Sequence, residues 1–187
     1  MVIGGTGMLR RVSVAIARDS KCFTAIARTS ASLEALAREI GNAPGRRQSF
    51  IALDWGKPNQ FVSALAERVA QLDPPSLVLA WLHDSELGPR VADAVSGRGT
   101  PCDFFQVLGS SAGGPLSGAA ELRRALENQP GLTYHQVVLG FKLEGASSRW
   151  LTHEEISSGV LDAISTMRPS YVVGSTTPWE KRPENAA

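Results

Sequence analysis

The sequence predicts an α/β fold with a doubly wound parallel sheet, and three observations carry that expectation. Apolar, β-branched runs alternate with amphipathic helical stretches along nearly the whole chain. Ser76-Leu-Val-Leu-Ala-Trp-Leu82 is continuously apolar, as a strand covered on both faces must be. A glycine-rich turn, Gly4-Gly-Thr-Gly7, joins the first such run to the first helical pattern.

Each element follows from its own pattern. Met1-Val-Ile3 is the first strand. It is short beside an average of about 5–6 residues: either the strand is unusually brief or, the favoured expectation, the true start lies a few residues upstream. Leu9, Val12 and Ile16 share one helical face and leave Arg10, Arg11 and Arg18 to water. Cys22 to Ala27 is a buried strand that ends at Arg28-Thr29-Ser30. Leu33, Leu36, Ala37 and Ile40 line a second helix, which Gly41 stops. Ser49 to Leu53 is the third strand, closed by Asp54-Trp55, and Phe61, Leu65 and Val69 stripe a helix over Pro58 to Gln71. After the Ser76–Leu82 strand come a helix over Glu86 to Val95, a strand over Asp103 to Leu108 and a glycine-serine loop from Gly109 to Pro115. Ala119 to Leu126 is helical and Leu132 to Leu139 is the sixth strand. Thr152-His-Glu-Glu155 has the capping-box pattern, with Ile156, Val160 and Ile164 as the apolar face behind it and His153 as decoration of the helix end. Tyr171-Val-Val173 is a short last strand, and Thr176 to Pro183 is a tail without periodicity. No repeat or linker divides the chain, so residues 1–187 read as one domain. Right-handed crossovers then give the order 3-2-1-4-5-6 with the short final strand at the edge, a Rossmann-type sheet.

Bulk properties exclude several classes of function. Hydrophobic residues make up 43% and charged residues 20%, ordinary values for a globular protein. A net charge of +1 gives no reason to expect nucleic acid or an acidic membrane as partner. No apolar run approaches the roughly 20 residues of a membrane span, and Met1 leads into a strand rather than a signal peptide. Cys22 and Cys102 have neither metal nor redox spacing, and two lone thiols fit a reducing cytoplasm, the expected location. No metal constellation is present.

In such a sheet, ligands bind beyond the carboxyl ends of the strands, near the switch point between the first and fourth. Glycines at Gly4, Gly5 and Gly7 let the backbone approach a pyrophosphate, with Thr6, Met8 and Leu9 completing the turn into the helix N-terminus. The dinucleotide fingerprint is incomplete, because its third glycine is Arg10, which must point outward or push the helix away. The second strand ends without an acid to bond a ribose 2′-hydroxyl. Arg28 suits a 2′-phosphate and can stack on adenine, Thr29 and Ser30 add hydroxyls, and the expected cofactor is therefore NADP(H) rather than NAD(H). Asp54, beside Trp55, suits a hydrogen bond to the adenine amino group or a plain helix cap.

Gly4-Gly-Thr-Gly-Met-Leu9, Arg28, Leu53-Asp54 and Ser110-Ser111 together resemble the short-chain dehydrogenase/reductase superfamily. Val137 to Gly145, Ser148 to Ile156 and Pro178 to Pro183 look like a small atypical bacterial subgroup within it. The resemblance implies a nicotinamide cofactor, with Ser110 or Ser111 orienting a substrate carbonyl. Gly140 and Lys142 lie just beyond the sixth strand, where Lys142 suits the nicotinamide ribose near the cofactor, an acidic substrate or plain solvation. Ala80-Trp-Leu-His83 stands where the family carries Asn-Ala-Gly, so Ala80 and Trp81 fall against the cofactor. The family's Tyr-x-x-x-Lys pair is missing: Glu121-Leu-Arg-Arg-Ala-Leu-Glu127 holds neither residue. Tyr134 lies several residues of about 3.3 Å each from the cofactor edge and is read as structural. His83, followed by Asp84, is the remaining candidate for proton donor, or else a loop residue satisfied by backbone.

Three readings stay open. The first is an NADP(H)-dependent oxidoreductase acting on an unknown small carbonyl or alcohol, with His83, Ser110 and Ser111 as catalytic residues. The second is a non-catalytic NADP(H)-binding sensor or partner-binding protein. The third is a related scaffold that binds no dinucleotide. Trp150 and Trp179 leave an interface, including that of a homo-oligomer, or a substrate lid open.

Overall fold

Alternating apolar runs become strands and amphipathic runs become helices in nearly the order expected. The computed structural model describes residues 1–82, 84, 87–96, 100–109, 118–145 and 147–183. The first half holds β1 (Val2–Ile3), α1 (Arg10–Asp19), β2 (Cys22–Ala27), α2 (Ser30–Ile40), β3 (Arg47–Ala52), α3 (Pro58–Ala70) and β4 (Leu77–Trp81). The second half holds α4 (Leu87–Val95), β5 (Cys102–Leu108), α5 (Ala119–Leu126), β6 (Leu132–Leu139), β7 (Phe141–Glu144), β8 (Ser147–Trp150), α6 (His153–Thr166) and β9 (Ser170–Val173). A single 3₁₀ turn, Trp179–Lys181, interrupts the tail.

Seven strands form one sheet in the order β3-β2-β1-β4-β5-β6-β9, and every pairing in it is parallel. This is the doubly wound Rossmann order, with the short last strand at the edge. The alternation of side chains along each strand splits the core in two. Val2, Ala25 and Leu79 face α1, α2 and α6, meeting Val12, Leu36 and Val160. Ile3, Ile26 and Val78 face α3 and α4, meeting Phe61, Leu65 and Val91. β1 supplies only two residues, yet both are fully buried and paired on each side.

The helix boundaries have local causes. Thr29 Oγ accepts the Ser32 N–H at the start of α2, and Gly41 ends that helix at φ 71°. Thr152 and Glu155 form the expected capping box, and Pro58 opens α3. Tyr134 is structural as expected: its hydroxyl donates to Gln106 at 2.8 Å and burial pushes its phenol up to about 12. The buried His135 ring stacks on Phe105 at 4.2 Å, donates from Nδ1 to the Arg168 carbonyl and sets Nε2 2.9 Å from Asp103.

The sequence reading has no counterpart for the antiparallel hairpin β7-β8, which pairs Phe141 with Trp150 and Lys142 with Arg149. Ion pairs fasten it to α6. Arg149 forks onto both oxygens of Glu155 at 2.8 and 2.9 Å and also reaches Glu144, while Lys142 lies 3.0 Å from Glu155. The Arg149 guanidinium, the Thr152 N–H and then Lys142 hold the Glu155 carboxyl well below its ordinary value of 4.5. A carboxylate depressed on folding contributes stability above its unfolded value and loses it as pH falls. Glu155→Gln should therefore melt below the wild type at neutral pH, and the gap should narrow steadily once pH drops beneath 4.5. Paired thermal melts from neutrality down to about pH 3 measure this, and a gap independent of pH would show that the charge contributes nothing.

Candidate functional site

A cleft of about 600 Å³ opens at the carboxyl ends of β1, β2 and β3, beside the switch point between β1 and β4. That volume lies within the range of small-molecule sites, about 300–1,000 Å³. Gly4, Thr6 and Gly7 form one wall, Arg28, Thr29 and Ser32 the next, and Asp54 with Trp55 the third.

The glycine turn is built by two close approaches. Gly4 adopts φ +79°, and a Cβ there would lie 2.1 Å from the Trp81 carbonyl oxygen of the neighbouring strand. Its N–H continues the ladder to the Ile26 carbonyl at 2.9 Å. Gly5 brings the turn against α1, where Ser13 Oγ, fully buried, donates to the Gly5 carbonyl at 2.8 Å. That contact answers the question raised by Arg10. The helix packs closely through Ser13, and Arg10 turns outward to pair with Glu39. Gly7 has open space where a side chain would project. The N-cap of α1, Leu9, offers no side-chain acceptor, and no acid occupies the first turn. The Arg10 N–H closes back on the Gly7 carbonyl at 2.9 Å, so it is the N–H groups of Arg11 and Val12 that are left to an anion or water.

The second wall carries the charge. The Arg28 guanidinium lies 5.3 Å from the centroid of the Trp55 ring, within cation–π range, and Trp55 is braced edge-on by Phe61 at 6.2 Å. Thr29 Oγ donates to Ser32 Oγ at 2.9 Å, which donates on to the Thr29 carbonyl at 2.9 Å. Asp54 Oδ1 accepts the Gly56 N–H at 2.9 Å, so one carboxylate oxygen shapes the turn into α3.

Of the residues expected at the site, Gly4, Thr6, Gly7, Arg28, Thr29, Asp54 and Trp55 line this one cleft. Gly5, Met8 and Leu9 support it from behind, with Leu9 fully buried and the Met8 carbonyl accepting from Ser157. Ser30 is the first residue of α2, whereas Ser32, which the sequence reading passed over, lines the cleft. Ala80 is buried within β4, and the Trp81 backbone is the floor on which Gly4 rests. Gly140 sits at the bend between β6 and β7, bonded to the Val173 carbonyl, and Lys142 is engaged by Glu155 rather than lining the cleft. His83, Ser110 and Ser111 lie outside the described residues. Ser13 was also missed; its one signal is a hydroxyl on the same helical face as Leu9 and Ile16. Among the described residues, no group of three or more His, Cys, Asp or Glu could hold a metal. No helix among them is long and apolar enough to cross a membrane.

The fold places the chain among Rossmann-like α/β domains, and solved structures of dehydrogenases share that architecture. An alcohol dehydrogenase from Comamonas testosteroni, specific for bulky-bulky ketones, superposes with a TM-score of 0.71 at 12% identity, over 96% of this chain and 88% of its own. A short-chain dehydrogenase from Sphingobium yanoikuyae in complex with NADPH gives 0.66 at 12% identity, over 96% and 90%. An alcohol dehydrogenase from the archaeon Thermococcus sibiricus, complexed with 5-hydroxy-NADP, gives 0.67 at 19% identity, over 98% and 97%. No protein-family model matches the chain, and no curated protein matches it. The likeness is one of fold.

Proposed function

We propose that this chain is a member of the short-chain dehydrogenase/reductase superfamily, of its atypical kind without Tyr-x-x-x-Lys. In this reading the chain binds NADP(H) in preference to NAD(H) and is an oxidoreductase acting on a small carbonyl or alcohol. The observation that carries the reading is Arg28 at the lip of the glycine cleft, lying over Trp55 beside the Thr29 and Ser32 hydroxyls. Two relatives in fold are complexed with NADPH or 5-hydroxy-NADP, which supports the same cofactor class.

The residues present fit such a group. The open side of Gly7 and the uncapped start of α1 would receive the pyrophosphate. Arg28 would pair with the 2′-phosphate, and Trp55 would offer a flat face to adenine. When bound, the cofactor supplies or accepts a hydride. The chain's own contribution is to hold it and to exchange a proton at the substrate oxygen. His83, which follows the buried Leu82 at the carboxyl end of β4, is assigned that proton, and Ser110 or Ser111 the orientation of the carbonyl. One observation favours the non-catalytic reading: α5 carries neither Tyr nor Lys.

Fluorescence titration with NADPH and NADH, on the wild type and on Arg28→Ala, tests the cofactor. Loss of one charge-assisted contact should weaken NADPH about 10–100-fold and leave NADH within about twofold. Equal loss for both nucleotides would remove the 2′-phosphate assignment. Loss of carbonyl reduction in His83→Ala, with NADPH affinity retained, would separate enzyme from sensor.

A further inference from the structure

Two buried serines hold the glycine turn, and they come from opposite ends of the chain. Ser13 of α1 takes the Gly5 carbonyl, as described above. Ser157 of α6, only 2% exposed, donates to the Met8 carbonyl at 3.2 Å across a separation of 149 residues. Packing of α6 beside α1 brings it there: Ile156 and Val160 share one core with Leu9 and Val12. A hydroxyl in apolar company costs stability unless it is bonded, and the Met8 carbonyl is the partner it finds. An alanine would fill the same space and suit a helix interior better, so what the serine adds is that bond.

The Met8 carbonyl is also the one that an unbroken helix would offer to the Val12 N–H, four residues on. That bond is not made. The Ser13 N–H reaches the Leu9 carbonyl at 2.9 Å, and before it the Arg10 N–H turns back to Gly7. The helix therefore starts at Arg10 and leaves Met8 and Leu9 in the turn. The local sequence does little to stop it there. Met8 and Leu9 are good helix formers, and Leu9 at the N-cap makes no side-chain cap bond.

We propose that Ser157 is a positioning residue for the phosphate end of the glycine cleft. Its hydroxyl keeps the Met8 carbonyl turned towards α6 and away from Val12, and so stops α1 from winding back by one residue into the turn that carries Gly7. The inference rests on the nucleotide reading proposed above. It gives α6, none of whose residues lines the cleft, an influence on the pyrophosphate. The 2′-phosphate escapes that influence, because Arg28, Thr29 and Ser32 belong to the end of β2 and the start of α2.

The test compares Ser157→Ala with the wild type, using NADPH and adenosine 2′-phosphate, which has the group assigned to Arg28 but no pyrophosphate. Affinity for NADPH should fall about 3–10-fold, the worth of one hydrogen bond, while that for adenosine 2′-phosphate stays within about twofold. In the variant without ligand, NMR of the labelled protein should show a coupling across a new hydrogen bond from the Val12 nitrogen to the Met8 carbonyl carbon, which the wild type lacks. Unchanged NADPH affinity, or equal losses for the two ligands, would overturn the proposal. A wild type that binds neither ligand would instead remove the cofactor reading. The Val12–Met8 coupling in Ser157→Ala would then decide the role of Ser157 by itself, its appearance upholding that role and its absence overturning it.

Discussion

Gly4→Ala should destabilise the protein by about 2–5 kcal/mol while Gly7→Ala leaves stability within about 1 kcal/mol. The two glycines are three residues apart in one turn, and the structure separates their roles. Gly4 holds φ +79°, a region that costs an alanine energy even in open space, and its Cβ would press on the Trp81 carbonyl. That carbonyl belongs to β4, which is paired along its length with β5 and has no freedom to retreat. Gly7 has no atom within 4 Å of a notional Cβ and no left-handed φ, so its missing side chain matters only to what enters the cleft. Urea unfolding of both variants checks the first half, and NADPH titration of Gly7→Ala the second. Affinity for NADPH should fall at least about 10-fold in a variant whose unfolding midpoint is that of the wild type. Unaltered affinity would mean that the turn is architecture and that the nucleotide, if bound, rests elsewhere.

The contrast between these glycines shows what the sequence could and could not reveal. Gly4 and Gly7 are equivalent letters in a motif, and only the strand beside them tells them apart. The sheet order was legible because each strand pattern is local and the crossover rule supplies the rest. The hairpin was not. Ser147 and Ser148 have little β-propensity, and the partners that fasten the hairpin, Glu155 with Arg149 and Lys142, are set by tertiary position. Lys142 was expected near the nicotinamide for the same reason: its partner lies on the next helix. Arg28 and Trp55 were each legible as strand-end residues, but their stacking depends on β2 and β3 lying side by side. Ser32 was overlooked in favour of Ser30 because the strand-end pattern stops at the first helical residue. The cap from Thr29 is what draws Ser32 towards the cleft.

Phe141→Ala should cost about 3–5 kcal/mol and yet leave NADPH affinity within about twofold. The Phe141 side chain is fully buried and its ring lies 6.0 Å from that of Trp179, while Phe141 and Ser175 exchange both backbone hydrogen bonds at 2.9 and 2.8 Å. One residue thus joins the bend after β6, the hairpin and the tail. Truncating it removes the ring that packs against Trp179 and leaves the hairpin to its backbone bonds with Ser175 and to the ion pairs of Glu155. Those pairs are partly exposed, so they cannot replace a buried aromatic ring. The glycine cleft draws its walls from the segments that follow β1, β2 and β3, and Phe141 is not among the residues that line it. Thermal melts should therefore move to lower temperature, with Trp179 emission shifting to the red as its ring gains water. NADPH titrations below the new melting temperature should superpose on those of the wild type. A parallel fall in affinity would instead couple the hairpin to the cleft through α6, whose Ser157 hydroxyl donates to the Met8 carbonyl in the glycine turn.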